Sequence, residues 1–104
     1  MFGPMPRGHW TTELSVPASE QFVRGERYSV VRLFTDYDQS RHAPGEMWTF
    51  LGSSFQPYDD GMSWFVSLDG RQEWQIRLLW RPEAQAPVLD RPSDYLRPCE
   101  GARA

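Results

Sequence analysis

Residues 46–80 read EMWTFLGSSFQPYDDGMSWFVSLDGRQEWQIRLLW, and this stretch contains four of the five tryptophans of the chain. It divides into three apolar runs that are separated by glycine, proline and aspartate. Short apolar runs bounded by such turn residues are typical of antiparallel strands. The stretch therefore predicts a β-meander, with strands at Glu46–Leu51, Met62–Leu68 and Gln72–Trp80. Gly52, directly after the first run, predicts a bulge or a sharp bend.

The Asp69-Gly70 turn sets the register of the second and third strands. Residues that lie directly opposite each other share a face of the sheet, so apolar side chains should oppose apolar side chains. A two-residue loop would place Val66 opposite the acidic Glu73. A loop centred on Gly70 instead forms the apolar pairs Val66–Trp74, Trp64–Ile76 and Met62–Leu78. We therefore expect an odd-length loop or a bulge at this turn.

One further strand is predicted before the meander, at Arg27–Phe34, because RYSVVRLF is rich in β-branched and aromatic residues. Its apolar residues fall on both faces, with Val31 and Leu33 opposite the main set, so the strand should be covered on both sides. The predicted core combines the alternating positions of all four strands: Tyr28, Trp48, Phe50, Trp64, Val66, Trp74 and Ile76.

The remaining segments are expected to be peripheral. Residues 1–15 are predicted to be loose, residues 16–97 to form a single small domain, and residues 98–104 to be a frayed tail. Short helical segments are expected at Val16–Val23 and Asp90–Leu96. Val88 and Leu89 form either a short fifth strand or an apolar plug for the core.

Composition limits the possible partners. The 104-residue chain has a net charge of −3, and its 11 arginines are interspersed with 14 acidic residues. Phosphate binding needs clustered positive charge, so a nucleic-acid surface is not expected. The chain has neither an apolar run long enough for a membrane helix nor the apolar core of a secretory signal, which predicts a cytoplasmic protein without a membrane partner. The single cysteine, Cys99, is expected to be a free thiol.

Four segments carry a resemblance to a known family: VRGERYSVVRLFTDYD, PGEMWTFLGSSFQPYDDG, SWFVSLDG and WQIRL. Together they resemble a family of small bacterial proteins of unknown function, over roughly residues 22 to 96. The glycine before the first strand, the acidic loop and the Gly-Glu turn into an aromatic strand also look like the opening of an SH3-like barrel. The resemblance implies no activity. The expected fold is mainly β, in the β-barrel or α+β class: a small antiparallel SH3-like barrel of four to five strands with short terminal helices.

Two sets of polar residues could form a chemical site. Asp36 and Asp38 in one loop, with Asp59 and Asp60 in another, could hold a hard cation if the two loops meet. An EF-hand reading of the first loop fails, because Arg41 and Met47 occupy the positions that require glycine and glutamate. These four aspartates are thus weak candidates, and no metal site or cofactor is expected.

His42 could form a catalytic dyad with Asp36 or Asp38. However, the loop is expected to be exposed, and no nucleophile accompanies the dyad: Ser53 and Ser54 lack the Gly-x-Ser-x-Gly pattern of a nucleophile elbow. An enzyme, or a divalent-cation site on the acidic loops, is therefore the alternative hypothesis.

The preferred hypothesis is a non-enzymatic protein-interaction module, such as an adaptor or an immunity-type protein, with a protein partner or a second copy of itself. If Trp64 and Val66 point inward, Phe65 points to the other face, and four apolar residues there could form a patch. The terminal residues Val88, Leu89, Tyr95 and Leu96 could cover this patch, or a partner could bind it. The candidate partner-binding residues are Phe65, Met47, Leu51 and Leu79 of the patch, and the loop residues Tyr37 and Tyr58.

Overall fold

The computed structural model describes residues 1–11, 22–56, 61–81 and 83–99. Six strands of the described part form one antiparallel sheet in the order β1-β7-β6-β5-β2-β8, and two short strands, β3 and β4, pair separately. The strand bounds are β1 (Phe2–Pro6), β2 (Arg27–Val30), β3 (Phe34–Thr35), β4 (Arg41–His42), β5 (Met47–Gln56), β6 (Gly61–Ser67), β7 (Gln72–Leu79) and β8 (Leu96–Pro98). A single-turn helix, α1 (Ala86–Asp90), and a 3-10 turn (Pro92–Asp94) connect β7 to β8.

The prediction of a mainly β, antiparallel fold is confirmed. The six-stranded sheet is not closed, because β1 and β8 lie at its two opposite edges. An SH3-like barrel is therefore not confirmed by the strands that the structure describes. Both edge strands contain proline, which lacks a backbone N–H, so each edge offers fewer donors to a further strand.

The predicted meander is present as β5, β6 and β7, and its register is confirmed. Val66 lies opposite Trp74, Trp64 opposite Ile76, and Met62 opposite Leu78. Gly70 has a positive φ of 79°, a conformation that glycine adopts without steric cost. Asp69 Oδ1 accepts hydrogen bonds from the backbone N–H groups of Arg71 and Gln72 and so stabilises the turn.

The predicted bulge is also present. β5 pairs with β6 through Phe50–Val66 and then through Gly52–Phe65, so Leu51 is the extra residue on β5. The bulge restores the alternation on both sides of it: Phe50 and Val66 share the core face, and Phe65 lies on the opposite face.

The core lies on one face of the sheet. All seven predicted residues belong to it, although Trp74 is only partly buried. Phe22, Phe34 and Leu78 extend the cluster, and Val88, Leu89 and Leu96 close it from the α1–β8 side. Val88 and Leu89 thus fill the core from a helix, as an apolar plug and not as a strand.

The first predicted strand is interrupted. β2 ends at Val30, and the chain leaves the sheet before pairing again at β3, which opposes β4. Val31 and Leu33 are exposed, so the expectation that this strand is covered on both sides is wrong. The reason is local. The Val31 N–H donates to the carbonyl of Tyr95, and after Val31 the chain enters the separate β3–β4 hairpin.

Two expectations about the ends of the chain are wrong. The first residues are not loose, because β1 pairs with β7 in the positions Phe2–Gln75, Met5–Glu73 and Pro6–Gln72. The expected frayed tail does not begin at residue 98, because residues 96–98 form β8 on the free edge of β2. The helical segment expected at Asp90–Leu96 is present in part, as the 3-10 turn at Pro92–Asp94, and α1 precedes it. The helical segment expected at residues 16–23 lies mostly outside the described residues, and residues 22 and 23 are not helical.

Candidate functional site

Asp36 is a fully buried carboxylate at the end of β3. Its Oδ1 accepts the backbone N–H of Ser40 at 3.0 Å, and its Oδ2 accepts the amine of Met1 at 2.7 Å. A reverse-turn bond from Gln39 N–H to the Asp36 carbonyl closes the same loop. Short aspartate-centred loops of this kind follow from the ability of the side chain to bond backbone N–H groups a few residues on.

His42, on the adjacent β4, lies between two carboxylates. Its Nε2 is 2.8 Å from Asp36 Oδ2, and its Nδ1 is 2.6 Å from Glu46 Oε2. Glu46 Oε2 also accepts the indole N–H of Trp48 at 3.1 Å. The imidazole is stacked on the ring of Phe34, with centroids 4.7 Å apart, and is almost completely buried.

The two carboxylates set the charge state of this cluster. Burial favours the neutral imidazole, but the bonds to Asp36 and Glu46 outweigh burial and raise the pKa of His42 above its usual value. Burial also opposes ionisation of Asp36, yet the bonds from His42, the Met1 amine and Ser40 keep the pKa of Asp36 below its usual value. The two carboxylates therefore favour the protonated imidazole, and the imidazole in turn favours the ionised Asp36.

The predicted His42–Asp36 dyad is thus formed, but the expectation that its loop is exposed is wrong for these two residues. Both ring nitrogens of His42 are engaged, so neither can take a proton from a substrate without breaking an ion pair. The cluster holds two loops together, and its imidazole and the Asp36 carboxylate are both buried.

Asp38 does not join Asp36. It forms a two-point ion pair with the guanidinium of Arg77 on β7, through Nε at 3.1 Å and through Nη2. The Arg77 guanidinium also lies 5.5 Å from the centre of the Tyr37 ring. The bond from Arg77 holds the pKa of Asp38 below its usual range. These contacts attach the Asp36–Ser40 loop to the edge of β7.

Two of the four carboxylates proposed for a cation site on the acidic loops are therefore bonded to other groups. Asp36 and Asp38 are committed to other partners, while Asp59 and Asp60 lie outside the described residues. Among residues 1–11, 22–56, 61–81 and 83–99, no group of three acidic, histidine or cysteine side chains is arranged to hold a metal ion.

A second buried carboxylate, Glu73, anchors the N-terminal segment across the face opposite the core. It accepts hydrogen bonds from Arg7 Nη1 at 2.6 Å, from Gly8 N–H at 2.8 Å and from Trp10 N–H at 3.0 Å. The hydroxyl of Thr11 donates to it as well. Burial alone would raise the pKa of Glu73, but these four donors outweigh it and lower the pKa.

This anchored segment covers part of the predicted patch. The indole of Trp10 stacks on Phe65, which is only 4% exposed, and Leu51 is buried too. Val88, Leu89 and Leu96 lie in the core on the other face, so they are not the cover that we expected. Of the two alternatives, cover by a terminal segment or binding by a partner, the structure shows cover at Phe65, by the N-terminal segment and not by the C-terminal residues named for it.

The other candidate binding residues are dispersed. Met47 and Tyr37 are exposed and Leu79 is half-buried. Met47 begins β5, whereas Leu79 lies opposite Gly61 of β6, which pairs with Gln56 at the far end of β5. The two ends of β5 are nine residue steps apart, roughly 30 Å. Tyr58 lies outside the described residues. The structure thus does not assemble these residues into one patch.

Tyr37 and Leu79 do border the same groove. It has a volume of about 370 Å³ and is lined by Tyr37, Gly61, Met62, Ser63, Arg77, Leu78, Leu79 and Arg81. At the same end of the sheet, Phe55 and Trp80 are in edge-to-face contact, with centroids 6.3 Å apart. The sequence analysis placed Trp80 in a strand and Phe55 after the end of one, whereas the structure has Phe55 in β5 and Trp80 directly after β7.

This protein is a small domain with an open, six-stranded antiparallel sheet and an aromatic core on one face of that sheet. The solved structure of integron cassette protein VCH_CASS4, from the mobile metagenome of Vibrio cholerae, matches it with a TM-score of 0.72 and 37% sequence identity. The match covers 76% of this chain and 87% of the cassette protein. The chain therefore belongs to the same family as this cassette protein, which agrees with the expected resemblance to small bacterial proteins.

No family model and no curated protein matches the chain. In the described residues, no helix has the length and apolar character that crossing a membrane requires.

Proposed function

We propose that this chain is a non-enzymatic protein-interaction module of the bacterial cytoplasm, and that it binds its partner through an aromatic end formed by Phe55 and Trp80. The observation that carries the proposal is the exposure of these two rings. Phe55 is 50% exposed and Trp80 is 41% exposed, although the two rings contact each other.

The aromatic end is held in place by the fold. Phe55 lies opposite Met62, which packs against the core, and the Trp80 indole N–H donates to Asp90 Oδ1 at 2.8 Å. A side chain that is already fixed loses little conformational entropy when a partner binds. Large aromatic residues are also enriched among the residues that contribute most to protein–protein binding.

A groove lies at the same end of β6 and β7. Tyr37 and Leu79 supply apolar area at its rim, and the guanidinium of Arg77 supplies a polar contact next to them. An apolar centre with a polar rim is the usual composition of a protein-binding surface. Two of the predicted partner-binding residues thus border a groove at the same end of the sheet as Phe55 and Trp80.

The buried charged groups support a non-enzymatic role. His42 has both nitrogens in ion pairs, and Glu73 accepts four hydrogen bonds. Neither group is placed to contact a substrate. The cation-site alternative would have to rest on Asp59 and Asp60, which lie outside the described residues.

Selection from a displayed library of random peptides tests the proposal. We expect wild-type protein to enrich binding peptides, and Phe55→Ala to weaken their binding at least tenfold without changing the melting temperature. Val31→Ala is the matched control, because Val31 is similarly exposed but follows β2, which pairs with the end of β5 away from Phe55. Peptides that bind Phe55→Ala and wild type equally, or failure to enrich any peptide, would overturn the proposal.

A further inference from the structure

The ion pairs of His42 join two different loop segments of the chain. Asp36 belongs to the loop that follows β3, and Glu46 belongs to the turn that precedes β5. The turn is held by bonds from Glu46 N–H to the Ala43 carbonyl and from Gly45 N–H to the Val30 carbonyl. The ring of His42 therefore acts as a bridge between the Asp36 loop and the Glu46 turn.

The two carboxylates on this bridge are not equivalent. Asp36 is 0% exposed and retains the Ser40 N–H and the Met1 amine if His42 ceases to donate. Glu46 is 23% exposed, so its carboxylate can rotate towards water. Removing a donor from a fully buried carboxylate costs much more than removing it from one that water can reach.

We propose that His42 is a pH-dependent latch, which clamps the Glu46 turn while the imidazole is protonated and releases Glu46, but not Asp36, when the ring loses one proton. A neutral imidazole has a single N–H, so it can donate to one carboxylate only. The N–H remains on Nε2, facing Asp36. The proton that leaves is the one on Nδ1, facing Glu46.

The charged groups around the ring, among the residues that the structure describes, enter this balance. Asp36 and Glu46 contact it directly, and the Met1 amine contacts it through Asp36. The Asp38–Arg77 pair lies on the same loop and on β7. The pKa of His42 is raised, so the clamp is complete below the usual imidazole pKa of about 6.5 and is lost as the pH rises through the higher, folded value.

Release of Glu46 has a defined consequence. The Trp48 indole N–H donates to the same oxygen, Oε2, that His42 holds. When Glu46 turns to solvent, Trp48 loses an acceptor of fixed position, so the indole N–H reports the latch directly. The inference concerns the β4–β5 turn and does not depend on the proposed binding surface.

Nitrogen-15 NMR of the imidazole rings in the full chain tests the latch across a pH series. The spectra distinguish imidazolium from the two neutral tautomers, and His9→Gln assigns the two histidines. We expect His42 to become the Nε2–H tautomer with a midpoint above the usual value, and the Trp48 indole signal to shift with the same midpoint. The Ser40 amide, which reports the Asp36 loop, should show no step of comparable size.

Two variants separate the latch from a merely structural ion pair. Glu46→Gln should lower the midpoint of His42 and abolish the pH step of the Trp48 indole, whereas Glu83→Gln, which removes the same charge from an exposed site, should change neither. An Nδ1–H tautomer, a His42 midpoint at or below the usual value, or a Trp48 signal without a coupled step would each overturn the proposal.

Discussion

The indole of Trp10 lies stacked on the phenyl ring of Phe65, with centroids 5.6 Å apart and ring planes inclined by 26°. The two residues are 55 positions apart in sequence, and Glu73 holds the backbone of Trp10 in place beside them. This contact covers part of the face of the sheet opposite the core. A surface that the strand alternation leaves apolar is covered by the first residues of the same chain.

Phe65→Glu should therefore destabilise the monomer. The new carboxylate would lie under Trp10 without a partner, and burying an unpaired polar group costs several kcal/mol. We expect a large fall in the melting temperature, measured by circular dichroism. Met47→Glu is the control, since Met47 is exposed, and it should change stability by less than about 0.5 kcal/mol. Equal melting temperatures for both variants would show that Trp10 does not seal this face in solution.

The sequence was sufficient to predict the meander, its register and the composition of the core. These depend on local alternation and on the pairing of apolar residues across a turn, so each strand constrains its neighbour. The Asp69-Gly70 dipeptide alone favours a tight two-residue turn, but opposing Val66 with Trp74 buries more apolar surface. Packing outweighed local turn preference, and the structure has the register that packing favours.

The sequence could not predict the contacts of the N-terminal segment. Residues 1–11 show no periodicity, and Glu73 gives no local sign that it will accept donors from more than 60 positions away. The same holds for Asp36 and the Met1 amine. Such contacts are determined by where the folded sheet leaves a buried carboxylate, which is a property of the tertiary structure.

Two tryptophans of the meander, Trp48 and Trp74, should differ in their contribution to stability. Trp48 is fully buried in the core, so Trp48→Ala should reduce the free energy of unfolding by about 3–5 kcal/mol. Trp74 is only partly buried at the periphery of the core, so Trp74→Ala should cost less. Urea denaturation of both variants measures this order. A larger loss for Trp74→Ala would contradict the assignment of Trp48 to the centre of the core.

Gly3→Ala should detach β1 from the sheet. A Cβ atom at this position would lie 2.8 Å from the Glu73 carbonyl oxygen and 3.1 Å from Trp74 Cδ1, and Gly3 has a positive φ of 131°. Overpacking and a disfavoured backbone conformation each cost roughly 1–3 kcal/mol. We expect faster amide hydrogen exchange in Phe2–Pro6 without unfolding of β5–β7. Unchanged exchange would mean that β1 tolerates a side chain here and is not closely packed on β7.

Glu73 should make the attachment of the N-terminal segment sensitive to acid. Its pKa is lowered in the folded protein, so its contribution to stability is complete above the unfolded value of about 4.3 and is lost as the pH falls through the lower, folded value. Glu73→Gln keeps the shape of the side chain but cannot accept the donors of Arg7, Gly8, Trp10 and Thr11 as a charged group. Hydrogen bonds to charged groups contribute roughly 1.5–3 kcal/mol each and are not additive, so we expect a loss of about 2–3 kcal/mol at neutral pH.

The pH dependence separates this effect from a general loss of packing. Wild-type protein should lose stability between pH 5 and pH 3 more steeply than Glu73→Gln, because the variant has no carboxyl group to protonate at this position. Urea denaturation at several pH values measures the difference, and quenching of Trp10 fluorescence reports whether the segment has left Phe65. Glu83→Gln is the matched control, as it removes an acidic group from an exposed position. If wild type and Glu73→Gln lost stability in parallel down to pH 3, the buried carboxylate would not be what holds residues 7–11 against the sheet.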